Sequence, residues 1–197
     1  MHSLAVVAEA SIVDVLIRIF ARTGNVSRPL PVLERPFSWR PPRGFLEDGQ
    51  SLEPIAFVGS FEKRTVTFVV LNTGDGDVKD ASAEQVRRTA HREDADFVFT
   101  IMEAWGLPPD KVGKYQAILD RYGSIAASPH AVDVVSFTLE TRHGSWVAQA
   151  PVKPKGVSKR KKTFKEPRFR FFSETAGRFA ELLPQKVDGG ARGAGVH

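Results

Sequence analysis

The chain has 197 residues, no cysteine, a formal charge of +5, and apolar and charged fractions of 42% and 26%. Such proportions belong to a globular protein long enough to bury about 70% of its unfolded surface. They exclude a disulfide scaffold, a thiolate metal site and a cysteine nucleophile.

Residues 4–20 are apolar but carry Glu9, Asp14 and Arg18. A membrane span needs about 20 residues with few or no charges, and a secretory signal needs a basic leader and a small-residue cleavage site. Neither pattern occurs, so the expectation is a cytoplasmic protein with no membrane association. Val6, Ala10, Val13, Ile17 and Phe20 recur at spacings of three and four, which predicts an amphipathic helix within residues 1–24, stopped at Gly24.

Pro29, Pro31, Pro36, Pro41, Pro42 and Pro54 crowd residues 25–54. Proline lacks an N–H and fixes φ, so this stretch excludes a long helix or a central strand. It reads as an extended arm anchored by Leu30, Val32, Leu33, Phe37 and Trp39.

The domain proper is expected over residues 55–184. The β-branched run 65–71 predicts a strand, and 72–77 (NTGDGD) a turn. Ser82, with Gln85 three residues on, forms a capping-box pattern for a helix through Glu93. Residues 96–105 read as a strand buried on both faces, and 110–121 as a helix ended by Gly123. Residues 132–141 and 145–152 flank Arg142-His143-Gly144, the signature of a β-hairpin. A strand over 168–172 and a helix over 173–183, capped by Ser173, complete the domain. The low-complexity tail, 185–197, is expected to be mobile. The fold class is therefore α+β, a mostly antiparallel sheet of about five strands with helices packed on it.

Charge is unevenly distributed. Residues 153–170 hold nine basic side chains against one acid, Glu166, a surplus of eight in a chain that totals +5. Segregated positive charge creates a local field for phosphate or an acidic surface. Within a basic loop over 153–165 and the strand after it, Lys155, Lys159, Arg160, Lys161, Lys162, Lys165, Arg168 and Arg170 are the candidate nucleic-acid contacts. Phe164, Phe169, Phe171 and Phe172 interleave with them. Cations can meet phosphates and exposed aromatic faces can stack bases. The competing reading comes from the alternation in Arg168-Phe169-Arg170-Phe171, which in a half-buried strand points phenylalanine inward and arginine outward. An acidic protein partner fits the same field. A homo-oligomer through the 6–20 helix or a strand edge is a further possibility.

Catalytic signatures are sparse. No histidine pair has metal spacing, and Walker, dinucleotide and Gly-x-Ser-x-Gly patterns are missing, so no cofactor is implied. His91, Glu93, Asp94 and Asp96 cluster in sequence as oxygen-rich cation ligands, or simply as a polar helix end. Asp133 and Glu140 are seven apart on one strand and should face opposite ways. Glu103 and Glu140 each end an apolar strand. If those strands brought them together, they would form a paired-carboxylate acid–base site; otherwise they are rim acids.

Overall fold

The computed structural model describes residues 42–60, 63, 65–158, 160–175 and 179–184. The predicted helix within 1–24, the arm up to residue 41 and the tail 185–197 lie outside the described residues. The elements are α1 (Pro42–Glu47), β1 (Ile55–Ser60), β2 (Thr65–Val70), α2 (Gly76–Glu93), β3 (Phe97–Gly106), a 3-10 turn (Pro109–Lys114), α3 (Tyr115–Tyr122), β4 (Val132–Thr141), β5 (Gly144–Pro154), β6 (Lys162–Phe164) and β7 (Arg170–Phe172).

All seven strands join one sheet, in the order β2-β1-β3-β4-β5-β6 with β7 also beside β5. Every described pairing is antiparallel. The α+β class holds, and among the described residues the expected sheet of about five strands has seven. The additions are β1, inserted between β2 and β3, and the short β6.

Strand alternation builds a core on each face. On one face Phe57, Phe99, Ile101, Val135, Phe137, Leu139 and Trp146 pack with Leu46 of α1 and Phe164 of β6. Phe57 and Phe99 stack at 6.4 Å, and Phe99 and Phe137 at 6.5 Å, so an aromatic row crosses the sheet. On the opposite face α2 lays Ala83, Val86 and Ala90 over Ala56, Val58, Val69 and Leu71. The spacing of those helical residues, three and then four, makes one narrow apolar stripe of small side chains.

The start of α2 differs from expectation. Asp75 caps it, its side chain accepting the N–H of Val78 at 3.1 Å. Ser82 lies inside the helix and is buried. Its hydroxyl accepts the N–H of Asn72 and donates to the carbonyl of Asn72, which ties the end of the β2 connection to the helix flank. The polar cluster that reads as a turn thus supplies the cap itself.

Pro42, at the first helical position where a missing N–H costs nothing, opens α1 within the stretch expected to be extended. Leu46 then enters the core at 2% exposure. The β4–β5 hairpin forms as expected: Thr141 is registered with Gly144 across a turn made by Arg142 and His143. The helix expected over 173–183 is not formed in its described part. Residues 179–184 are bends and turns, and Glu181 takes a left-handed φ of 53°.

Candidate functional site: a cationic sheet edge

Both β6 and β7 pair with β5, β6 at Val152–Pro154 and β7 at Ser145–Val147. The chain from 162 to 172 therefore follows the outer side of β5. At about 3.4 Å per residue that edge is roughly 30 Å long. It is the end of the sheet opposite β2.

The basic loop is anchored at its base. Phe164 is buried and meets Phe137 at 5.9 Å. The Arg43 guanidinium lies over the Phe164 ring, 5.3 Å from its centre, and reaches Glu166 at 3.6 Å. Glu47, the last residue of α1, takes Lys155 on one carboxylate oxygen at 2.7 Å and the Thr163 hydroxyl on the other at 2.8 Å. Those two donors, Lys155 foremost, hold the Glu47 carboxyl below its ordinary pKa. Within the loop, the Lys155 N–H bonds the carbonyl of Lys161 at 2.8 Å, and the Ser158 hydroxyl oxygen accepts the N–H groups of Arg160 and Lys161.

The predicted contacts thus divide. Lys155 and Lys162 are ion-paired, to Glu47 at 2.7 Å and to Asp133 at 3.3 Å. Arg160, Lys161, Lys165, Arg168 and Arg170 are exposed along the edge. Lys159 lies outside the described residues. The aromatics divide too. Phe169 is half-buried with its ring edge-on to Phe137 at 6.3 Å, so it and Phe164 serve the core. Phe171 and Phe172 remain exposed, and Phe171 lies 4.9 Å from Trp146. The alternation in the sequence points both Phe169 and Phe171 inward; Phe169 does pack inward, but Phe171 is 51% exposed. The alternation gave no sign that the three-residue β7 would leave both following phenylalanines on the surface. Sequence reasoning also missed Arg43, whose partners lie more than a hundred residues away in the chain.

Glu103 and Glu140 do not form a carboxylate pair. Their strands are neighbours, but Glu103 is registered with Val135 and Glu140 with Val98. They are five positions apart along the ladder and on opposite faces. The Glu103 carboxylate accepts the N–H of Leu52 at 3.0 Å. Glu140, buried, accepts the N–H groups of Leu182 and Leu183 at 2.8 and 2.9 Å. Burial pushes its pKa up, against the lowering effect of those two bonds.

The acidic cluster after α2 is likewise structural. Arg142, in the β4–β5 turn, approaches Asp94 at 3.5 Å and Asp96 at 3.6 Å and donates to the carbonyl of Ala95. Among the described residues no group of His, Asp or Glu is arranged to hold a metal ion, and no helix is long and apolar enough to cross a membrane. No protein-family model matches the chain, and comparison with curated proteins and with solved structures gives no significant match.

Proposed function

We propose that the protein is a non-enzymatic binding protein that holds a polyanion, nucleic acid, along the β5–β6–β7 edge. The observation that carries this reading is the exposure of Arg160, Lys161, Lys165, Arg168 and Arg170 on one edge, over a loop whose base is fixed by Phe164, Glu47 and Asp133. Cations on an ordered scaffold meet phosphates with less ordering cost than cations on a free loop. Phe171, packed on Trp146, and Phe172 are the exposed phenylalanines of this segment among the described residues, and their open surfaces beside Arg170 would be the ones to meet a base.

The test is fluorescence anisotropy of labelled oligonucleotides, single-stranded and duplex, titrated at a series of salt concentrations. Replacing Arg160, Lys161, Lys165 and Arg168 with Ala should weaken binding and flatten the log–log salt slope by up to roughly 3 units, at about 0.7–0.9 per phosphate contact. Wild-type affinity no greater than that of the quadruple variant would overturn the reading.

A further inference from the structure

The other end of the sheet has the opposite character. Thr65–Val70 (TVTFVV) forms the edge strand β2, with no charged residue and no proline. Val66, Phe68 and Val70 expose 39%, 38% and 44% of their surfaces, although they share the sheet face that carries the aromatic core row. Phe68 sits opposite Phe57, at the outer end of that row.

The backbone of these three residues is open as well. The N–H of Leu71 bonds the carbonyl of Pro54 at 2.8 Å, and the N–H of Asp96 bonds the carbonyl of Gly59 at 2.7 Å. Peptide groups alternate sides along a strand. The first bond therefore turns the odd-numbered residues of β2 towards β1. The second, through the β1 register, gives the same assignment. Val66, Phe68 and Val70 accordingly direct both N–H and C=O away from β1, to the edge where no described strand pairs. An uncharged edge strand with apolar side chains and open backbone groups on the same residues is a template for strand addition.

We propose that this edge is a homodimer seam, in which β2 pairs antiparallel with β2 of a second copy about a twofold axis at Phe68. That register sets Phe68 against Phe68 and Val66 against Val70, so the apolar stripe meets itself and every outward peptide group finds a partner. A twofold interface must be self-complementary, and a strand free of charge meets its copy without like-charge repulsion. The cationic edges do not oppose it. From β2 to β6 is five strand spacings, about 24 Å along the sheet, beyond the ~8 Å Debye length at physiological salt.

Sedimentation of the full chain over a concentration series should show a dimer. Phe68→Lys, placing like charges across the axis, should give a monomer with an unchanged circular dichroism spectrum. Because the chain has no cysteine, single thiols read the register directly. Phe68→Cys places two thiols across the axis at about the 5.5 Å Cα separation of a hydrogen-bonded pair, within disulfide reach. Val66→Cys leaves its two thiols about 13 Å apart along the strands. Under mild oxidation the first should cross-link into a covalent dimer and the second should not. A monomer at every concentration, a dimer that survives Phe68→Lys, or equal cross-linking from positions 66 and 68 would each overturn the proposal. The first of these results is also the one given if another segment of the same chain covers the stripe.

Discussion

The N–H of Leu182 donates to Glu140 Oε1 at 2.8 Å, and the N–H of Leu183 reaches the same oxygen at 2.9 Å. One carboxylate oxygen near the turn end of β4 thus fastens a segment more than forty residues later, and Leu182 and Leu183 join the core that packs against α2. The left-handed turn at Glu181, whose carbonyl accepts from Arg87, aims both N–H groups at the same point.

Glu140→Ala should cost about 2 kcal/mol, since it removes the acceptor of two N–H groups and leaves a buried donor unsatisfied. Glu140→Gln keeps an acceptor oxygen and should cost less. Urea denaturation measures both. Amide exchange at Leu182 and Leu183 should quicken in the Ala variant while the exchange of β4 is retained. Equal protection of those two amides in both variants would show that packing alone holds the segment.

The same residue gives stability a pH dependence of definite sign. Burial raises the Glu140 pKa in the folded state above its ordinary value of 4.5. The folded protein then binds a proton that the unfolded chain has released, so this contribution is fully present below the unfolded pKa and is lost as pH rises through the folded one. The stability of wild type relative to Glu140→Gln should therefore fall as pH is raised from 4 towards neutrality. Glu47 works in the opposite direction: its lowered pKa gives a contribution lost on acidification. The comparison must thus be between the two proteins at each pH. A flat difference would contradict the assignment.

Gly59 allows the close approach of Phe97, its partner in the β1–β3 register. A Cβ at position 59 would come within 2.2 Å of the Phe97 ring. Gly59→Ala must displace a buried ring and should destabilise by about 1–3 kcal/mol or somewhat more. Phe97→Leu in the same background should recover part of that loss, and a double-mutant cycle in urea measures the coupling. Strictly additive costs would mean that the two positions do not compete for space.

The elements legible in the sequence are those fixed by local chemistry. Alternation and the Arg142-His143-Gly144 turn define the β4–β5 hairpin, and the apolar run before Gly106 defines β3. Elements settled by distant partners were hidden. Residues 55–60 read poorly as a strand because Gly59 interrupts them, and the reason for that glycine is Phe97. The pattern over 173–183 suits a helix, but Glu140 binds the Leu182 and Leu183 N–H groups in a different backbone. At the candidate site, segregation of the cations was plain from the sequence. Which of them are ion-paired was not, because Glu47 and Asp133 reach the loop only through the fold. Nor could the separation of Glu103 from Glu140 be read, since it depends on a register that no local residue specifies.

The position of β3 has a kinetic consequence. The β1–β2 and β4–β5 hairpins each close over a few residues, whereas both neighbours of β3 are remote in sequence: Ile101 is registered with Ile55 on one side and Phe137 on the other. Loop closure grows dearer by about 0.6 kcal/mol for each doubling of loop length, and non-local pairing slows folding. The expected order is two quickly formed hairpins followed by one late strand. Until β3 docks, the aromatic row is cut between Phe57 and Phe137, and neither half of the core has its second wall.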